Sequence, residues 1–260
     1  MNTTLFTQFS LAISNFDGAV DAPALQIAAS GSLVAYYAPF DAVNLRARIV
    51  LVGITPGRNQ ASNALTEARK QLAHGASHRD ALLQAKRVGA FSGAMRTNLT
   101  ALLDHIGLSC WLGLDSCDEL FGKAAHLLQS ASVLPFPVFV NGDNYNGTPD
   151  PISTPMLRKM VIEHFVPMAN ALPAAVFVPL GPVPTRVLQW LVSQNHLSER
   201  QLLLGLPHPS GANAERVRYF LGKKAASLLS AKTDPVKLDE ARSRLQASVA
   251  SLAKLATADR

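Results

Sequence analysis

The chain has 260 residues, 48% of them apolar and 16% charged, so it can bury a full core and is neither disordered nor fibrous. No apolar run approaches the roughly 20 residues of a membrane span, and residues 1–10 lack the basic start and long apolar stretch of a secretory leader. Two cysteines, Cys110 and Cys117, are too few for a disulfide framework or a four-cysteine cluster and point to reduced thiols in the cytoplasm; the net charge of +6 is compatible with an anionic partner without naming one.

Along the chain, the first buried strand is expected at 47–53, a short Val/Leu/Ile run ending in glycine. It leads into a region rich in basic side chains: Arg58, Arg69, Lys70, Arg79, Lys86, Arg87 and Arg96, against only Glu67 and Asp80. Within it, Ser77-His-Arg-Asp80 has the form of a capping box opening a helix over 81–88. After Ser92, the apolar residues Leu99, Leu102, Leu103 and Ile106 share one helical face. A second strand is expected within 124–134, its early part also readable as helix. Residues 135–151 are dense in turn formers and read as a long irregular loop, uncommon unless functional.

Thr154-Pro155 then opens a helix with Leu157, Met160, Val161 and Phe165 on its apolar face. Strands follow at 174–181 and 202–207, and Asn213 is placed to cap a helix bearing Val217, Phe220 and Leu221. A second basic group is Arg216, Arg218, Lys223 and Lys224, and Asp234-Pro235 starts a last helix with Leu238, Ala241, Leu245, Val249, Leu252 and Leu255 in line. The expected fold is α/β: three layers, α/β/α, around a central four-stranded, mainly parallel sheet. Residues 1–230 form the domain, and 231–260 an amphipathic helix packed on it or on a partner.

Two motifs carry chemistry. Ile49-Val-Leu-Val-Gly-Ile-Thr-Pro-Gly57 is a strand running into a turn, where Gly53 and Gly57 admit a ligand close to the backbone and Pro56 fixes the path. In an open α/β sheet the ligand crevice lies beyond the carboxyl ends of the strands. The turn lacks the Gly-Lys-Ser/Thr of a P-loop, and the chain has no Gly-x-Gly-x-x-Gly. Leu204-Gly-Leu-Pro-His-Pro-Ser-Gly-Ala-Asn213 is sharper: His208 is held between two prolines at the end of the last expected strand, and Ser210, Gly211 and Ala212 turn into a helix whose start can receive a phosphate.

In this order the motifs Gly53-Ile-Thr-Pro-Gly57 and His208-Pro-Ser210, with Gly89-Ala-Phe-Ser-Gly-Ala94 between them, resemble those of the uracil-DNA glycosylase superfamily over roughly residues 49–222. The resemblance implies a DNA glycosylase that rotates a target base, uracil or another altered base, into a pocket and hydrolyses its bond to the sugar, as in base excision repair. His208 would donate a hydrogen bond to the base oxygen where charge accumulates. Phe91 would stack on the base, Gly53 and Ile54 would line it, and Thr55, at the third position of the first motif, would join His208 as a catalytic residue. Ser210, Gly211 and Asn213 would hold the DNA backbone, with Arg216 and Arg58 on phosphates. The resemblance also implies a monomer with DNA as its partner, and neither metal nor organic cofactor.

The departures from the superfamily are specific. Thr55 stands where several branches have Asp or Asn, and Ile54 where some have a carboxylate, so no acid in the first motif can serve; Asp143 in the 135–151 segment is the stand-in candidate. The base-reading Asn that many members carry aligns with Ser130 or Ser132, while Asn141, Asn144 and Asn146 come later, of which Asn144 is a base-binding candidate. Gly211 and Ala212 are too small to wedge a duplex open. His74 and His78 lack the remaining ligands of a zinc site. A non-cleaving DNA or base reader on the same fold, and a hydrolase of free nucleosides, are the alternatives.

Overall fold

The computed structural model describes residues 4–89 and 93–258. Two short helices, α1 (Thr4–Gln8) and α2 (Ser10–Ser14), precede a hairpin of β1 (Gln26–Ser30) and β2 (Leu33–Tyr36). Then come β3 (Ile49–Gly53), α3 (Arg58–Ala73), α4 (His78–Gly89), α5 (Gly93–His105), α6 (Leu108–Leu112) and β4 (Leu128–Ser132). Strands β5 (Val138–Val140) and β6 (Asp143–Asn144) lead to α7 (Pro155–Met160), a π-helical turn (Val161–Phe165) and α8 (Val166–Asn170). The chain continues through β7 (Val176–Pro179), α9 (Pro182–Ser193), α10 (Ala214–Phe220) and α11 (Pro235–Ala258).

The central sheet is parallel, in the order β4-β3-β7. Every residue of β3 from Ile49 to Val52 is buried, as expected of a strand covered on both faces. The pleat sends Val50 and Val52 into one core, with Leu65 and Ala68 of α3 and Leu82 and Ala85 of α4. Ile49 and Leu51 point into a second core, with Leu99, Leu102 and Leu103 of α5, Val217 and Phe220 of α10, and Leu245 and Val249 of α11. Helices thus cover both faces, and α11 lies on the domain itself: Tyr219 donates its hydroxyl to Asp239 at 2.8 Å and Gln246 donates to the His105 carbonyl at 3.1 Å.

The fourth expected strand, 202–207, is reduced to a single parallel bridge between Leu202 and Phe177, extended by the Leu203 amide donating to the Phe177 carbonyl at 3.0 Å. Gly205, at φ 107°, turns the backbone out of the extended region, and Pro207 and Pro209 have no amide to give a ladder. The sheet therefore has three strands, not four.

A second sheet, antiparallel in the order β1-β2-β5-β6, was not expected. It also corrects the reading of 135–151 as an irregular loop. Val138 to Val140 pair with β2, and Asn141 and Gly142, at φ 51° and 85°, make the tight turn that brings Asp143 and Asn144 back onto Phe139 and Val140. The rest of the segment packs on α9: at Gly147, φ 108°, a Cβ would fall 2.5 Å from Cγ2 of Val183, so only glycine fits.

Ser77 does cap α4, accepting the Asp80 amide at 3.2 Å. Asn213 does not cap α10, because its side chain is held elsewhere. Its Nδ2 donates to Ser210 Oγ at 3.1 Å and its Oδ1 accepts from Arg216 at 3.0 Å. No helix is long and apolar enough to cross a membrane among the described residues.

Candidate functional site

The carboxyl ends of the central strands carry both motifs. Gly53 closes β3 beside Ser132 at the end of β4: the Ser132 hydroxyl lies 3.5 Å from where a Cβ on Gly53 would sit. On the other side, Val52 pairs with Pro179, so Gly181 lies just past the end of β7. His208 leans over it, with Cδ2 3.3 Å from the position of a Gly181 Cβ.

His208 is half-buried, and burial holds its pKa below the ordinary histidine value. The Ser210 amide donates to its Nδ1 at 3.2 Å. A nitrogen that accepts carries no proton, so the neutral ring bears its hydrogen on Nε2, as a donor. The next residue is fixed from across the fold, where Asn98 Nδ2 of α5 donates to the Pro209 carbonyl at 2.9 Å. Ser210, Asn213 and Arg216 form a chain of side-chain bonds ending on the Lys232 carbonyl, 3.0 Å from the Arg216 guanidinium. Gly211 and Asn213 belong to a short 3₁₀ turn before α10.

The Gly53–Gly57 turn is tied at three points. Thr55 Oγ1 donates to the Phe136 carbonyl at 2.8 Å and accepts the Val138 amide at 3.2 Å, which fastens the turn to β5. Its hydroxyl proton is therefore engaged by the backbone, and Thr55 acts on the loop. Gln60 accepts the Gly57 amide at 3.1 Å and donates to the Gly89 carbonyl at 3.1 Å. Asn144, expected to face a base, has its Oδ1 on the Arg58 amide at 2.9 Å, the start of α3. Ile54 packs against the first core, and Phe91 lies outside the described residues.

Much of the first basic group is internally committed. Arg58 pairs with Asp21 at 3.0 Å, donates to the Gly142 carbonyl at 2.9 Å and covers the Phe139 ring at 4.4 Å. Arg69 donates to the Phe16 carbonyl, Arg96 pairs with Asp118 at 3.3 Å, and Lys86 donates to the buried Ala42 carbonyl. In the second group, Lys224 pairs with Glu215 at 2.7 Å; Ser230 and Thr233 also donate to that carboxylate, and together these partners pull it down to about 2. Arg58 and Arg216 thus brace the two motif turns; Arg58 is partly covered, whereas Arg216 is exposed.

Beside Ser132 opens a cavity of about 360 Å³, which also reaches Pro56, Gln60 and Gly89 of the first-motif region. Its walls carry Lys86, Asp41 and His164, none of which the sequence reading singled out as site residues. Among the described residues no group of histidine, cysteine and acidic side chains is arranged to hold a metal ion.

Among curated proteins the chain is similar to one from Bacillus subtilis (strain 168) described as uncharacterized protein YoxB, with 36% identity over 192 residues, or 73% of this chain and 75% of YoxB. The chain belongs to the YoxB family. No family model matches it, and no solved structure matches it. The family relationship therefore carries no chemistry of its own, and the reading of the site rests on its geometry.

Proposed function

We propose that this YoxB-family chain is a DNA glycosylase on a uracil-DNA glycosylase-like scaffold, hydrolysing the bond between the sugar and uracil or another altered base. The observation that supports it best is the clamped His208: a neutral imidazole whose Nε2–H is the donor, set against Gly181 just past the carboxyl end of β7, the strand that pairs with β3 and so neighbours the Gly53 turn. In the reaction, the C1′–N bond breaks with its electron pair leaving on the base. Negative charge gathers on the base oxygen, where Nε2–H donates. Water adds its hydroxyl to C1′, and its proton ends on the released base. DNA is the substrate, and the chain works as a monomer; its two free thiols, Cys110 and Cys117, suit the cytoplasm.

The test is base release from labelled single- and double-stranded oligonucleotides carrying uracil, hypoxanthine or xanthine, read as strand breaks at the resulting abasic sites. Breaks that depend on the altered base and vanish in His208→Ala support the reading. No breaks with any of these bases would overturn it.

A second reading is a DNA or base reader that does not cleave. It is favoured by one observation: the first-motif turn carries no carboxylate, and the Thr55 hydroxyl is bound to Phe136 and Val138. Salt-dependent DNA binding without product is its signature.

A further inference from the structure

The cavity beside β4 holds groups that the reaction above does not use. Its volume of about 360 Å³ falls at the small end of ligand pockets. Two aromatic rings, Phe40 and Phe136, stand in its wall. Phe136 is braced by His164, edge-on at 5.0 Å between ring centres, and Phe40 occupies the space that a side chain at position 89 would need, 2.6 Å from a Cβ on Gly89. The π-helical turn Val161–Phe165 brings Glu163 and His164 to the same wall, and wide turns of this kind occur frequently at functional sites.

Lys86 is the polar centre of this space. A lysine on an inward-facing helical position is costly unless its hydrogens are matched. Its amine has three donors, one of which goes to the Ala42 carbonyl, and it makes no other hydrogen bond among the described residues. Asp41 is the charged neighbour, itself holding the Tyr37 hydroxyl at 3.0 Å. Desolvation pulls the amine down to about 7, with Asp41 opposing. Donor capacity is therefore left in an aromatic-walled cavity, with Ser130 and Ser132 as further hydroxyls on the β4 side.

We propose that this cavity receives a flat two-ring heterocycle bearing a ring oxygen, an oxo-purine, with Lys86 donating to that oxygen. Aromatic walls select a flat ring, and the volume leaves room beyond the single ring of a pyrimidine. In its protonated form the amine has donors only, so it selects an oxygen over an exocyclic amino group, which would present donor to donor. His208 does not line this cavity, so the site goes beyond the glycosylase reading and does not depend on it. Binding of the free base is independent of any cleavage.

The experiment is calorimetric titration of the full chain with hypoxanthine, xanthine and uracil, using the wild type, Lys86→Met and Ala131→Phe, the last placing a ring in the cavity. The oxo-purines should bind; Lys86→Met should weaken them about ten-fold or more, as loss of a hydrogen bond to a charged group does, and Ala131→Phe should remove binding. Melting curves verify that each variant folds. If one does not, acetylation of the wild type followed by mass spectrometry decides, with hypoxanthine expected to protect Lys86. Uracil binding as tightly as the purines, binding indifferent to Lys86→Met, or acetylation of Lys86 unaffected by hypoxanthine would each overturn the inference. Failure of the strand-break assay with purine binding intact would instead remove the glycosylase reading and leave the purine site standing.

Discussion

The backbone amide of Ser210 donates to Nδ1 of His208 at 3.2 Å, and this short local bond decides which ring nitrogen carries the proton. Because burial also holds the ring below its ordinary pKa, the imidazole is neutral at pH 7 and donates from Nε2. The proposed base release should therefore stay level from neutral pH upward through the histidine range. It should fall only on the acid side of an unperturbed histidine, near 6.5. A pH–rate profile measures this. A rate that climbed as pH fell through 6.5 would mean that the imidazolium is the working form.

Gly181 sits where a side chain has no place. Its φ of 100° and ψ of 176° fall in a region that is essentially restricted to glycine. A Cβ there would also stand 3.3 Å from Cδ2 of His208. Gly181→Ala should cost about 1–3 kcal/mol of stability from the backbone alone. It should also displace the imidazole, so that base release falls by more than DNA binding. Chemical denaturation and the strand-break assay separate the two effects.

Thr55 distinguishes a loop fastener from a reacting group. Thr55→Val keeps the shape and leaves both the Phe136 carbonyl and the Val138 amide without their partner. The expected loss is on the order of 1–3 kcal/mol. Thr55→Ser retains the hydroxyl and should keep most of the stability. If Thr55→Val melted like the wild type while base release collapsed, the hydroxyl would belong to the chemistry instead.

Lys86 predicts an alkaline gain in stability. Its folded pKa of about 7 lies below the ordinary lysine value of 10.5, so between these values the unfolded chain binds more protons than the folded one. Stability contributed by the neutral amine is complete above the unfolded value and is lost as pH falls toward the folded one. Lys86→Met removes that dependence. It should melt above the wild type at pH 7, with the gap closing as pH approaches 10.5, by thermal melts across the range.

The sequence was most legible where one signal dominates. The apolar run of β3, the Ser77 cap and the leucines of α5 each express a single local rule, and each element formed where that rule puts it. The hairpin around Asn141-Gly142 was missed, although that dipeptide is a strong turn signal. It was masked by the prolines and further asparagines around it. Lys86 illustrates the harder case. Among the neighbouring basic residues it reads as solvated, yet it falls four positions after the buried Leu82 on α4 and so shares its inward face. The ties that hold the site, such as Asn98 to Pro209, join residues far apart in the chain and leave no local pattern.

The last helix has a consequence for how the protein is made. Ala241, Leu245 and Val249 of α11 are buried, and the latter two fill the second core against residues of α5, α6 and α10. A nascent chain emerging from the ribosome can therefore assemble the first core early, but the apolar face of α6 and α10 that α11 covers stays open until these late residues appear. Translational stalling shortly before residue 241 would leave that greasy face open to chaperones and to other chains.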